Sequence, residues 1–440
     1  MTSFVLAIWT FERNWSTGQF STVVLAAALP NILMAPFAGA LVDRWDKRRT
    51  LMWSVIGQSV ATFVLATLFA TGRIHTYWQI YPAIILIALC GSFQNPALGA
   101  ASAVLLSKES YSQASAMWQL NSVAVMIISP LLAAALLPIV NMQGIVLFDA
   151  LSYLFALIAL FVVRIPNPSN TQDNDADSQD RSPGGFLRQV IKGWSYIQDR
   201  RPLLYLLVYG LFIDLVLDMV QIAVMPLSVR GGSAGRLASV MAASAFGMVA
   251  GTVLMTLWPG PKRRIGGVLG SGAVIGAMLV LAGTQRNAIT QAVAFFLFTL
   301  FIPFNQSCSG AIWLSKTARE LMGRVTATTS MFAQLCFPLA CFITPLLTDR
   351  IFVPLLVPGG TLSTTPLAAI FGVGQQRGVG LLLAVMGLGM CIVSLTAYAN
   401  RKLRCIETDL PEMSCPEAEA GGEPSGTPVT ERAFAAGEQQ

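Results

Sequence analysis

Hydrophobic residues in this chain come in long runs of about twenty, the length an α-helix needs to cross the hydrocarbon core of a bilayer. Short polar turns divide them. The runs lie at residues 21–42, 50–71, 78–105, 117–137 and 144–163, and again at 202–228, 238–258, 265–283, 289–314, 326–348 and 377–400. Residues 1–11 are apolar but about half as long as a full span, and they lack the basic start and small-residue cleavage site of a signal peptide. The start codon is therefore expected to fall inside a first helix. With that partial span the pattern predicts an all-α polytopic membrane protein of twelve transmembrane helices, the first one truncated.

Residues 164–201 interrupt the pattern and divide it into two sets of six. Asn167 to Gly185 is rich in Asn, Asp, Ser and Pro and is expected to be disordered. In the following stretch Phe186, Leu187, Val190, Ile191, Trp194 and Ile197 recur at helical spacing among basic residues, which predicts an amphipathic helix lying on the inner membrane surface. The organisation read from the chain is an N-terminal helical half at 1–165, a linker at 166–201 and a C-terminal helical half at 202–400. A tail at 401–440 closes it, and its Glu-, Gly- and Pro-rich end is expected to be disordered.

The two halves echo one another. Gln94-Asn95-Pro96 near the end of the fourth span has a counterpart in Pro303-Phe304-Asn305-Gln306 of the tenth, and Pro130 of the fifth span has one in Pro338 of the eleventh. Paired halves with helix-breaking prolines at corresponding places are the pattern of transporters that rock one half against the other.

Charge sets the orientation. Of the 28 Lys and Arg residues, 21 fall in loops assigned to one side, and the other seven are Arg13, Arg73, Arg230, Arg236, Arg286, Arg350 and Arg377. The positive-inside bias places the basic side, with the central linker and the tail, in the cytoplasm of a plasma or bacterial inner membrane. Net charge +6 belongs to these loops, so anionic lipid explains it and nucleic acid is not expected as a partner. The chain is 54% apolar and only 11% charged, less than half the charge share of a soluble globular chain.

Candidate chemistry is sparse. One histidine, His75, sits in a short loop, so neither a histidine-based metal site nor a catalytic triad is expected. Five of the seven cysteines lie in apolar runs without metal spacing. No phosphate-cradling Gly-rich loop ending in Lys-Ser or Lys-Thr is present, so ATP is not the expected energy source. No cofactor is expected.

Three carboxylates remain inside spans: Asp149, Asp214 and Asp218. An ionised side chain near mid-bilayer costs on the order of 3 kcal/mol, so each faces a cavity, has a partner or carries a proton. Asp214 and Asp218 are one turn apart on one helix face, about 6 Å along the axis. No basic residue lies in any span to neutralise them, and repulsion opposes ionising both. That is the behaviour a proton-coupling site requires, the alternative being a hydrogen-bonded structural pair. Asp149 opens the sixth span and reads first as structural, with coupling second. The amides Gln94, Asn95, Asn305 and Gln306, with Ser92, Ser307 and Ser309, line a polar path through the fourth and tenth spans or else join helices at about 0.6 kcal/mol per bond.

One loop carries a sharper signature. Gly39-Ala40-Leu41-Val42-Asp43-Arg44-Trp45-Asp46-Lys47-Arg48-Arg49 packs its charge between the second and third spans. Gly39, Leu41, Asp43, Arg44 and the basic cluster with Arg48 and Arg49 resemble the loop between helices 2 and 3 of the major facilitator superfamily. Asp46 stands where that pattern has Gly. The resemblance implies that Asp43 sits against the N-terminus of the eleventh helix and that Arg44 pairs with helix ends, together latching a cytoplasmic gate. A carboxylate so placed gains about 0.3 to 1 kcal/mol from the helix dipole.

A finer resemblance runs through Asn305 to Ser315, Gly323-Arg324-Val325, Phe337-Pro338-Leu339-Ala340 and Asp349-Arg350-Ile351-Phe352-Val353-Pro354-Leu355-Leu356, with Pro358-Gly359-Gly360 and Phe371-Gly372-Val373-Gly374 beyond. It is similar to the enterobactin-exporter and macrolide-efflux branch, in a subgroup found beside nonribosomal peptide synthetase genes. Two departures are visible. The fourth span lacks the buried Arg of many proton-coupled antiporters, and Ser129-Pro130-Leu131-Leu132-Ala133-Ala134 keeps the proline but not the glycines of their fifth span. The resemblance implies proton-driven export of a small-molecule secondary metabolite or drug of the peptide, siderophore or macrolide class, by a monomer that needs only protons and lipid as partners. The second reading is a transport-inactive membrane scaffold or partner subunit, which the short first helix supports. A membrane enzyme ranks third, for want of any catalytic constellation.

Overall fold

The computed structural model describes residues 17–71, 77–105, 143–162, 193–229, 234–258, 263–285, 287–318, 321–360 and 371–400, with a few single residues between them and some helix positions by backbone alone. Ten long helices lie among these residues, each apolar enough to cross a membrane. They are α1 (Thr17–Arg44), α2 (Lys47–Ala70), α3 (Tyr81–Leu105), α4 (Gln143–Val162), α5 (Arg201–Val229), α6 (Ala234–Leu257), α7 (Arg264–Thr284), α8 (Ala288–Lys316), α9 (Met322–Leu347) and α10 (Gln375–Ala399). They answer to the second, third, fourth, sixth and seventh to twelfth predicted spans. The first and most of the fifth, with Pro130, lie outside the described residues, as do the linker to residue 190 and nearly all of the tail.

Two boundaries differ from the hydrophobic pattern. The fourth span begins at Tyr81 rather than residue 78, because Tyr77–Gln79 forms a separate short 3-10 turn. The eleventh does not stop at residue 348. Its helix continues through a widened turn at Thr348–Phe352 into Val353–Leu356, one turn beyond Pro345, whose missing amide removes a backbone donor from the regular ladder. The chain then reverses at Gly359, whose φ of +92° only glycine adopts without strain. The loop is tied back by the Gly374 amide, which donates to the Leu356 carbonyl at 2.8 Å.

Apolar side chains point both ways from these helices. Leu206, Ile222, Leu269, Phe295 and Met390 lie in a large core among α5, α7, α8 and α10, whereas Phe155, Val162, Leu257 and Ile289 are more than 70% exposed. Exposure on that scale fits lipid as the surrounding solvent.

Small residues set the closest approach. Gly276 and Gly283 of α7 meet Gly387 and Gly380 of α10 so tightly that an added Cβ at any of the four would collide with the facing backbone. Two antiparallel helices with glycine every seventh residue pack here backbone to backbone.

Residues 193–199 form a short helical segment that seats Ile197, fully buried, in the core of the C-terminal half, and Trp194 against Phe332 with ring centroids 5.2 Å apart. Trp194 and Ile197, predicted to meet lipid, therefore meet protein, while Phe186, Leu187 and Val190 lie outside the described residues. Ile191 remains exposed.

At the two-residue turn between α1 and α2, Asp46 is the N-cap of α2. Its Oδ1 accepts from the Arg48 and Arg49 amides at 2.9 and 3.1 Å. A cap that supplies its own acceptor explains why a carboxylate serves where the resembling pattern has glycine.

Candidate functional site

A cavity of about 420 Å³ lies among α5, α7, α8 and α9. Leu206, Leu207, Gly210, Leu211 and Leu217 of α5 form an apolar wall, and Gln306, Ser309, Trp313, Thr329 and Ser330 of α8 and α9 form a polar and aromatic one. Asp214 stands in the apolar wall as the sole ionisable side chain of the lining among the described residues. The cavity uses the first part of α5 and α9 and the last part of α8, so it lies toward the end of the bundle that carries the turns rich in Lys and Arg.

Asp218, one turn along α5, does not line this cavity although it is also half-buried. Among the described residues, neither carboxylate receives a hydrogen bond or an ion pair. The Cys336 thiol donates to the Leu211 carbonyl at 3.6 Å, which joins α9 to α5 close to Asp214. Asp149 is on α4, half-buried, and does not line the cavity. No group of three metal-ligating side chains occurs among the described residues.

The four amides separate into different roles. Asn305 borders the cavity, yet its Nδ2 donates to the Val268 carbonyl and the Ser271 hydroxyl of α7, both at 2.8 Å. Gln94 accepts from Gln58 Nε2 of α2 at 3.2 Å, and the same nitrogen contacts Ser54 Oγ at 3.1 Å. In both halves, then, an amide two residues from the helix-breaking proline ties a helix to its predecessor in sequence. Gln306 is exposed to the cavity, and the Asn95 side chain lies outside the described residues. Gln58 was the missing partner. Its position, a polar residue in an apolar run one span earlier, was the available signal.

In the predicted gate motif, Gly39, Leu41, Asp43 and Arg44 occupy the last turns of α1, and the side chains of Asp43 and Arg44 lie outside the described residues. Arg48 donates from Nη2 to the Phe161 and Leu160 carbonyls at 3.0 and 3.4 Å. A guanidinium thus meets the orphan carbonyls at the C-terminus of α4, where the helix dipole favours positive charge. Arg49 is 82% exposed and reaches Asp46 only at 4.0 Å, a weak surface pair. The N-terminus of α9 has no side-chain cap and no acidic residue in its first turn.

At the opposite end of the bundle α1 meets the other half. The Gly18 amide donates to Asp349 Oδ2 at 3.0 Å, joining the first turn of α1 to the turn that extends α9. Phe20, 6% exposed, packs into the core of the C-terminal half.

Two helical halves wrapped in a lipid-compatible surface, the C-terminal one enclosing a polar-lined cavity, define a multi-pass membrane transporter rather than an enzyme. The chain belongs to the Major Facilitator Superfamily, whose sequence pattern matches residues 1–341. It is 25% identical to macrolide efflux protein A of Streptococcus pyogenes over 345 residues, covering 77% of this chain and 83% of that protein. The protein of the same name from Enterococcus faecalis is 25% identical over 320 residues, 72% of this chain and 96% of the relative. In fold it is similar to a bacterial homologue of the human lysosomal transporter Spinster, with TM-score 0.67, 12% identity and 94% and 96% of the two chains covered. The nucleoside transporter NupG superposes with TM-score 0.61 at 10% identity, over 91% and 98%.

Proposed function

We propose that the protein is a secondary active exporter of an amphipathic drug or secondary metabolite that carries a basic amine, working by proton antiport with alternating access in the cell membrane. The observation that carries this reading is Asp214, a lone carboxylate without a hydrogen-bonding partner among the described residues, in the wall of a cavity that also offers Trp313 and several neutral polar groups. An uncompensated carboxylate in such a place is stable with a proton on it or with a cation beside it. Exchange of one for the other at one group couples the two fluxes, and each proton moved inward supplies about 2.3 kcal/mol per 100 mV of membrane potential. Trp313 adds an aromatic face suited to an ammonium or an apolar ring. The macrolide-efflux relatives support the export direction, and the positive-inside bias puts the cavity end in the cytoplasm, where an exporter collects its substrate.

The test is uptake into everted membrane vesicles with and without an imposed pH gradient, using a macrolide that bears a basic amine and its neutral analogue lacking that amine. Wild-type vesicles are expected to concentrate the amine only when the gradient is present, and Asp214→Asn to abolish that response. Accumulation by Asp214→Asn equal to wild type refutes Asp214 as the coupling group.

A further inference from the structure

The contact between Gly18 and Asp349, 331 positions apart in sequence, joins the two halves at the end of the bundle away from the cavity. Gly18 is the second residue of α1, so its amide is one of the orphan donors of a helix N-terminus, and α1 has no acidic residue of its own in that turn. Asp349 therefore supplies from the other half the negative charge that this helix end lacks.

The surroundings of this bond are unlike an ordinary helix contact. Thr17 Oγ1, Gln19 Oε1 and Ser21 Oγ at the start of α1, and Thr344 Oγ1 and Thr348 Oγ1 at the end of α9, are all buried without a hydrogen-bond partner among the described residues. Thr17, Thr344 and Thr348 are completely inaccessible and Ser21 is 2% exposed. Buried hydroxyls usually bond back to the carbonyl a turn earlier, and a buried polar atom left unpaired disfavours the state that buries it. Water entering this seam would satisfy all five groups at once.

We infer that the α1–α9 seam is a gate in which the Asp349 carboxylate on the N-terminus of α1 acts as the latch, and the unpaired hydroxyls keep the closed state from being too stable to open. The inference rests on the alternating-access reading and adds to it the residues that hold this end shut. Phe20 is the plug that fills the C-terminal core while the latch holds. Opposing terms of this kind give a two-state element that modest differential binding can shift.

The test uses the full chain in lipid nanodiscs, where reagent reaches both faces, with Ser21→Cys alkylated by a polar maleimide and the signal of the protein lacking that substitution subtracted. Asp349→Asn is expected to raise the labelling rate by about tenfold, as the loss of one charge-assisted bond predicts. Gly18→Pro, which deletes the amide donor in a first turn where proline is tolerated, is expected to do the same and covers the case in which the aspartate variant does not fold. The pair Thr344→Val and Thr348→Val is expected to slow labelling below the parent rate, since it removes two unpaired hydroxyls from the closed state. Unchanged labelling in both latch variants, or faster labelling in the valine variant, overturns the gate. Uptake measured on the same variants in vesicles separates the two readings: labelling that responds without any gradient-driven uptake leaves the latch standing and refutes the antiporter.

Discussion

Asp214 and Asp218, one turn apart on α5, stand in different surroundings: Asp214 lines the cavity and Asp218 does not. Both are half-buried, and neither is hydrogen-bonded among the described residues. Spacing alone made them a pair, whereas the tertiary structure places only Asp214 on the cavity that α5 shares with α8 and α9. Asp214→Asn is expected to lower gradient-driven accumulation in everted vesicles by at least about tenfold, while Asp218→Asn keeps a substantial part of it. Equal loss in both variants would return the coupling function to the pair.

The uncapped N-terminus of α9 is the place the resemblance assigns to Asp43 when the basic end closes. Asp43→Ala is therefore expected to abolish export while leaving the amount of protein in the membrane unchanged. Drug export by Asp43→Ala cells at the wild-type level and normal expression would remove Asp43 from the gate.

Asp46 supplies two hydrogen bonds to amides at the start of α2. Replacing it by alanine should cost about 1 kcal/mol of stability, and by glycine only a few tenths. Thermal unfolding of the purified variants in detergent checks the order: Asp46→Gly close to wild type, Asp46→Ala clearly lower. A reversal would mean that the capping bonds contribute little.

Asn305 and Gln306 are neighbours on α8 with opposite assignments. Asn305→Leu removes two bonds to α7 and should lower stability by about 1 to 2 kcal/mol. Gln306→Leu should leave the melting temperature within error and change the apparent affinity for substrate. Measuring unfolding and uptake on both variants tests the division, and loss of stability in the Gln306 variant alone would invert it.

Gly283 of α7 has no room for a side chain against the Gly380 carbonyl of α10. Gly283→Leu is expected to destabilise the C-terminal half by more than the roughly 1 to 3 kcal/mol of an ordinary overpacked site, because the obstacle is backbone. Size-exclusion profiles of detergent extracts report it, and a monodisperse variant with the wild-type melting temperature would contradict the contact.

The pattern of the chain by itself determined the class of protein and ten of the helices described, for a plain reason. Bilayer thickness fixes span length and backbone hydrogen bonding forces the helix, so both are written in local composition. The family was legible too, since Gly39, Leu41, Asp43 and Arg44 sit at fixed spacing within one loop. Singling out Asp214 and Asp218 needed only the scarcity of charge in apolar runs.

What tertiary structure alone decided is every relation between residues far apart in the chain. The turn that carries α9 past Pro345 to Leu356 holds Asp349 and Arg350, which end the apolar run at residue 348, so hydropathy stops the span where the backbone continues to wind. Gln94 and Asn305 read as cavity or glue with equal right until Gln58, Val268 and Ser271 stood within bonding distance. Asp349 lay in a stretch notable only for its resemblance, and nothing local marks an aspartate as the acceptor for the Gly18 amide, 331 positions earlier. Hydropathy is a property of each segment, whereas hydrogen-bond satisfaction is a property of pairs, and only the packed bundle brings those pairs together.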